Sequence, residues 1–209
     1  EFAKKYTERK VLLKGIQYKN DQFLTFFSSL FTMGINELVF VDEGSTTNIE
    51  LTDLVRQPDY SKMKPQERPL LNPELQLTGM YFMQEAARPV PNEEKENLKE
   101  LEEELAANMV KSRYIIAIEL NEGPGTDAEK LKNRQYRVPI LKNKKEEVLQ
   151  PLFTDPLEFQ KFAKGKKMKA LAVPYGELAR SWQGARGYML NPVGFHILMP
   201  RELLMGLSK

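Results

Sequence analysis

The side chains that most often carry catalysis or bind metals are scarce in this sequence of 209 residues. It has no cysteine and a single histidine, which excludes thiolate nucleophiles, disulfides and cysteine-based metal sites and argues against a histidine-based one. That histidine, His196, lies in an apolar run that predicts a β-strand over residues 195–199. No serine nucleophile motif accompanies it. We therefore interpret His196 as a solvent-facing or hydrogen-bonded structural residue rather than a general base.

Carboxylates are the remaining candidates for acid–base chemistry. Glu119, Asp155 and Glu177 could meet in a pocket of a small-molecule sensor or an enzyme. Seven glutamates at 93–104 lack the Asp- and Gly-containing loop of a calcium site and predict a solvated helix face. Residues 123–125, Gly-Pro-Gly, lack the lysine and hydroxyl residue of a phosphate-binding loop. We predict no catalytic, cofactor-binding or metal-binding residue, and the sequence favours a protein that is not an enzyme.

The clustering of basic residues in one part of the sequence is the strongest indication that the protein binds a partner. The net charge is only +2, yet residues 130–169 contain twelve Lys and Arg against four acids. Five of these lysines form a candidate interaction surface, called the lysine surface below: Lys161, Lys164, Lys166, Lys167 and Lys169. If the basic residues share a face near Tyr136 and Tyr175, that face suits an unknown acidic protein or, as an alternative, nucleic acid.

These side chains must be positioned by regular elements, and the first half of the chain predicts four segments. The apolar spacing and turn residues predict a helix over 21–33, a hairpin with strands at 37–41 and 48–51, an extended loop over 56–70, and a helix over 73–87. Asn72-Pro73 supplies the start of the last helix.

The second half alternates strands with short helices. A helix is predicted from Asn92 to Ser112, with Glu93, Glu94 and Glu96 in its first turns, and a loop over 121–133. Strands are predicted at 113–118, 136–141, 148–153, 168–173, 187–190 and 195–199, and helices at Asp155-Pro156, at Pro174 (with Leu178, Ala179 and Trp182) and at Pro200. The order predicts an α/β (α+β) fold, a mixed β-sheet with helices packed on it.

Two domains of ordinary size fit this length. We predict an N-terminal α+β region over 1–91 and a second domain over 92–209. Leu71-Asn72-Pro73 and Leu190-Asn191-Pro192 leave open whether the first is a diverged repeat of the second. No apolar run is long enough to span a bilayer, and residues 1–20 lack the uninterrupted apolar core and cleavage site of a signal peptide, so we expect a cytoplasmic protein with no membrane span.

Three motifs in the second half resemble a known family. In order they are Phe153-Thr154-Asp155-Pro156, Ala172-Val173-Pro174-Tyr175-Gly176-Glu177-Leu178 and Gly187-Tyr188-Met189-Leu190-Asn191-Pro192. Their order and spacing over about residues 92–209 resemble the SseB family, the enhanced serine sensitivity proteins, in the SseB N-terminal domain. The preceding run over 79–85 looks like the longer Gram-positive members. The resemblance implies a cytoplasmic bacterial α/β protein without established enzymatic activity, linked by name to a serine-sensitivity phenotype.

Overall fold

A computed structural model describes residues 2–11, 13–65, 67–181 and 184–207. The chain divides into two compact units, one formed by Glu1–Arg68 with Asn72–Asn108 and the other by Pro69–Leu71 with Met109–Lys209. Compact units need not coincide with independently folding domains. The predicted division after residue 91, and the possible duplication, therefore stay predictions.

The first unit combines helices with a two-stranded hairpin. Its elements are α1 (Phe2–Glu8), α2 (Phe23–Leu30), β1 (Glu37–Asp42), β2 (Ser45–Glu50), α3 (Leu51–Leu54), α4 (Pro73–Ala86) and most of α5 (Leu98–Lys111). Leu30, Leu51 and Val55 form a buried cluster that phenylalanines of α2 help to cover. The aromatic face of α2 therefore contributes to this core.

The predicted helix over 21–33 and the hairpin are both confirmed. Single 3-10 turns flank α2, and the last one ends at Gly34 with a left-handed φ of 76°. A Cβ at Gly34 would lie 2.7 Å from the carbonyl oxygen of Pro73, so only glycine fits. Glu43 and Gly44 join the strands with φ of 41° and 87°, the conformation of a type I′ turn that matches strand twist.

Two boundaries in this unit differ from the predictions. Leu51 begins α3 instead of ending the second strand, and its side chain is fully buried. The helix predicted from Asn92 begins only at Leu98, because Lys95 is extended and Asn97 has a left-handed φ of 54°. Consequently Glu93 and Glu94 lie in a separate 3-10 turn and not in the first turn of α5. The helix predicted over 73–87 is confirmed as α4.

The second unit is a β-sheet with short helices. Its elements are β3 (Arg113–Leu120), α6 (Asp127–Lys132), β4 (Tyr136–Arg137), β5 (Leu141–Lys142), β6 (Val148–Phe153), α7 (Pro156–Ala163), β7 (Lys169–Pro174), α8 (Tyr175–Ser181), β8 (Gly187–Leu190), β9 (Ile197–Pro200) and α9 (Arg201–Leu207). Strand β3 pairs antiparallel with β7, β6 and β4. Strands β6 and β8 are parallel, whereas β9 is antiparallel to β8. The predicted mixed sheet and α+β class are confirmed.

One face of this sheet packs against α7. Ile115, Ala117 and Phe153 form a buried cluster on that face, and Phe159 and Phe162 of α7 pack against it. The rings of Phe153 and Phe159 meet edge to face, with centroids 5.6 Å apart. This packing holds the start of α7 beside the end of β6.

One predicted segment of the second unit is wrong in type, and another is divided. The loop predicted over 121–133 contains α6, which Thr126 caps by accepting a hydrogen bond from the Glu129 N–H while the Glu129 carboxylate accepts from the Thr126 N–H. The strand predicted over 136–141 is divided into β4 and β5 around Pro139, because proline cannot donate to a strand ladder.

Strand β7 is less buried than its sequence suggests. Residues 168–173 read as a buried strand, but Val173 alone within β7 is buried. Pro174 ends β7 instead of opening the next helix, which begins at Tyr175. Trp182, which we predicted in that helix, lies outside the described residues.

Candidate functional site

Asp155 is the start signal of α7 and is fully buried. Its Oδ1 accepts hydrogen bonds from the Leu157 N–H at 2.8 Å and the Glu158 N–H at 3.0 Å. Its Oδ2 accepts from the Thr154 hydroxyl at 2.8 Å. These bonds satisfy backbone donors that a helix start leaves unpaired. The predicted cap is confirmed, and the carboxylate is committed to structure.

Asn191 ties the turn after β8 to the end of β6. Its side-chain oxygen accepts from the Thr154 N–H at 3.0 Å, and its amide donates to the Thr154 hydroxyl at 2.9 Å. The residue is fully buried and adopts a left-handed φ of 47°. An Asn-Pro dipeptide is typical of a turn, but this bridge across the sheet depends on tertiary structure.

Glu158 is a buried carboxylate that the sequence analysis did not single out. Its Oε1 forms an ion pair with Lys161 of the lysine surface. Its Oε2 is buried and has no hydrogen-bond partner among the described residues. A Cβ placed on Gly194 would lie 2.6 Å from that oxygen, so the glycine of the Asn191–Gly194 turn makes room for the carboxylate. A Glu at the third position of a capped helix was the available sequence signal.

The three candidate carboxylates do not converge. Arg113 of β3 pairs with Pro174, which directly precedes the helix of Glu177, and Ile115 pairs with Phe153, just before Asp155. Glu119 lies six residues from Arg113 along β3, a separation of roughly 20 Å at strand rise. Asp155 and Glu177 therefore lie toward one end of β3 and Glu119 toward the other.

A cleft does exist beside Glu119. It has a volume of about 620 Å³ and is lined by Glu119, Leu120, Asn121, Glu122 and Arg137. Both glutamates and the arginine are exposed. A carboxylate that acts as an acid or base near neutral pH is usually desolvated, and these two are in contact with water.

His196 lies before β9, because that strand begins at Ile197 and not at Phe195 as predicted. Its φ of 46° is left-handed, its side chain is exposed, and its Nδ1 lies 3.3 Å from the carbonyl oxygen of Gly194. The backbone N–H of His196 donates to the carbonyl of Asn191. These contacts and the exposure of the His196 side chain agree with a structural role in the turn.

The lysine surface occupies the end of α7 and the turn that leads into β7. Lys161 pairs with Glu158, and Lys169 pairs with Asp127 at 3.0 Å. The other three members, Lys164, Lys166 and Lys167, are exposed, and no acid among the described residues lies within 4 Å of their ammonium groups. The Lys166 ammonium lies 4.9 Å from the centre of the Phe162 ring.

The tyrosines expected near the basic residues do not form a stacking platform. Tyr175 is buried, its ring lies 6.5 Å from that of Tyr114, and its hydroxyl donates to the carbonyl of Leu204. Tyr136 is half-buried in β4, where it pairs with Leu120. Tyr175 therefore offers no accessible ring to a partner of the lysines, because the fold buries it.

Across the described parts of the chain, no three His, Asp or Glu side chains cluster as metal ligands would. None of the helices within those parts combines the length and apolar character that crossing a bilayer requires.

Comparison with known proteins identifies the family. The family model described as the SseB protein N-terminal domain matches residues 92–205, which include β3 to β9, the Asp155 cap and the Asn191 bridge. No curated protein and no solved structure matches the chain. Because the matched residues make up more than half of the sequence, this chain belongs to the SseB family.

Proposed function

We propose that the protein is a non-enzymatic interaction module of the bacterial cytoplasm that binds an acidic segment of a partner protein through the lysine surface. The observation that carries this proposal is the uncompensated charge of Lys164, Lys166 and Lys167 on one exposed turn. Clustered cations attract an oppositely charged partner over several ångströms and orient it before contact. Such a module could regulate its partner by occupying that segment.

The polar residues of the family motifs support a binding role over catalysis. Asp155 caps a helix, Thr154 and Asn191 bind each other, and all three are buried. A catalytic group must reach the substrate, so residues committed to buried hydrogen bonds hold the scaffold instead. The lysine surface, in contrast, is exposed to solvent.

A protein partner is favoured over nucleic acid. Single-stranded nucleic acids are bound by aromatic platforms beside basic grooves, and Tyr175 is buried here. Ammonium groups pair with carboxylates and phosphates alike as point charges. The burial of Tyr175 is therefore what favours an acidic protein segment over nucleic acid here.

The alternative is a small-molecule sensor or an enzyme, and the cleft beside Glu119 is the observation that favours it. Glu119, Glu122 and Arg137 would offer both signs of charge to a polar ligand. Under this alternative, Glu119→Gln abolishes a metabolite-dependent gain in thermal stability, whereas changes to the lysine surface leave that gain intact.

Charge reversal tests the proposed module. The variant Lys164→Glu, Lys166→Glu, Lys167→Glu is compared with a control that reverses three other exposed lysines, Lys132, Lys144 and Lys145. The net charge of both variants is equal. We expect affinity capture with mass spectrometry to show acidic proteins that bind both the native chain and the control. Their binding should weaken with added salt and should be lost with the first variant.

Two results would overturn the proposal. One is a partner set that both variants retain equally, which would place binding elsewhere. The other is retention of labelled RNA or DNA that falls steeply with salt and is lost only with the first variant, which would make the surface a nucleic-acid site.

A further inference from the structure

Apart from the two-residue strands β4 and β5, two strands of the second unit's sheet have a single partner among the residues that the structure describes. Strand β7 pairs with β3, and β9 pairs with β8. A strand at the edge of a sheet presents a row of unpaired N–H and C=O groups, which can accept a strand from another chain. The two edges differ in the backbone groups that they offer.

The register shows which backbone groups of β7 point away from β3. The Tyr175 N–H donates to the carbonyl of Ser112, so the adjacent residues Arg113 and Pro174 form a non-hydrogen-bonded antiparallel pair. Such pairs alternate with hydrogen-bonded ones along the ladder. Lys169, Leu171 and Val173 therefore bond to β3, whereas the N–H and C=O groups of Ala170 and Ala172, and the C=O of Pro174, point outward.

These outward groups are accessible. Ala170 and Ala172 are exposed, and within the described parts of the chain no hydrogen-bond acceptor reaches either N–H. Their side chains are single methyl groups, so neither a charge nor a bulky side chain guards this edge between Lys169 and Pro174. Natural sheets usually protect such edges with lysines, prolines or bulges.

The opposite edge is a poorer template. The Arg201 N–H donates to the carbonyl of Arg186, and the same alternation places Leu198 and Pro200 in the outward positions of β9. Proline has no N–H, so β9 offers one outward donor over its length. Strand β7 offers two donors and three acceptors.

The lysine surface lies at one end of the β7 edge. Lys164, Lys166 and Lys167 precede the first outward residue, Ala170, by three to six positions, and all three are exposed. A partner strand beside Ala170 and Ala172 would pass these ammonium groups where it leaves the sheet. The edge and the charge are thus adjacent parts of one surface.

We infer that β7 is a docking edge to which an extended acidic segment of a partner protein adds as a further strand. The inference rests on the proposed function and specifies how the partner binds. The segment runs antiparallel to β7, the pairing that is more stable per residue, and exchanges hydrogen bonds with Ala170 and Ala172. Its acidic residues follow the strand and pair with Lys164, Lys166 and Lys167. In this mode main-chain bonds supply affinity and charges supply orientation.

A synthetic peptide tests the inference on the intact protein. In the peptide, alternating threonine and valine precede a run of glutamates, and binding is followed by NMR titration at low salt. Two methylated versions of the peptide are compared, each N-methylated at every second residue. The first methylation phase removes the N–H groups that face β7, and the second removes those that face solvent. We expect one phase to weaken binding roughly fivefold or more and the other to leave it nearly unchanged, because each lost pair is worth about a factor of five.

Variants of β7 provide the reciprocal test. Ala172→Pro removes an outward N–H without removing a bond to β3, and Pro174 already occupies an equivalent outward position. Ala172→Val keeps the N–H and suits a strand, so it is the matched control. We expect Ala172→Pro to lose affinity by roughly fivefold or more and Ala172→Val to retain it, with similar melting temperatures. The methylated peptides remain informative if Ala172→Pro unfolds.

The outcomes separate the two proposals. Binding that needs the lysines but is equally tolerant of both methylation phases and of Ala172→Pro overturns strand addition and leaves the acidic-partner proposal standing. Failure of the native protein to bind either this peptide or a plain glutamate peptide overturns both. Both proposals are supported if binding is lost with one of the two methylated peptides and is also lost when the three lysines are reversed in charge.

Discussion

The Asn191 bridge should contribute substantially to the stability of the second unit. Replacing Asn191 with Ala removes two hydrogen bonds to Thr154, at 2.9 and 3.0 Å, and leaves a fully buried N–H without that acceptor. Each bond contributes about 1 kcal/mol net. Alanine at a φ of 47° adds about 1 kcal/mol of backbone strain. We therefore expect Asn191→Ala to lower the free energy of unfolding by about 3 kcal/mol.

A second substitution separates the two contributions. Asn191→Gly loses the same hydrogen bonds, but glycine adopts left-handed φ without strain, so we expect a loss of about 2 kcal/mol. Urea unfolding of both variants, followed by circular dichroism and tryptophan fluorescence, measures the difference. If Asn191→Ala costs less than about 0.5 kcal/mol, or if Gly is the worse of the two, the buried bridge is not what stabilises this turn.

Further predictions concern the same unit. Asp155→Ala should cost about 1–2 kcal/mol, measured by urea unfolding, because α7 loses its cap; an unchanged midpoint would contradict this. Gly194→Ala should lower the melting temperature, and Glu158→Ala should relieve much of that loss, because the new Cβ meets the Glu158 carboxylate; additive effects would refute the contact. Burial, the largest cause, and the nearby Tyr175 ring raise the pKa of Tyr114 above its usual value near 10. Folding therefore favours the protonated phenol, and stability should fall as pH rises above about 10; Tyr114→Phe should flatten that fall, and an identical pH profile would argue against it. His196→Ala should stay folded and keep its partners in capture experiments, and a folded variant that loses a biological activity would contradict the structural role.

Much of the local structure was predictable from short-range signals. Asp155-Pro156 starts α7, Glu43-Gly44 turns the hairpin, and Gly34 ends a helical segment, because caps and turns depend on neighbouring residues. The missed helix α6 carried the same kind of signal, since Thr126 and Glu129 have the spacing of a capping box. The late start of α5 was not predictable in this way, because Asn97 adopts a left-handed conformation that its sequence permits but does not require.

The arrangement of the site depended on which strands pair. The sequence by itself determined the family motifs, the α+β class and the clustering of lysines around residues 161–169. Only the tertiary structure decided that Glu119 lies far from Asp155 along β3, that Asn191 reaches Thr154, and that the apolar run at β7 is an edge. The physical reason is that strand pairing joins residues distant in the chain, and an apolar strand reads alike whether one or both of its edges are bonded.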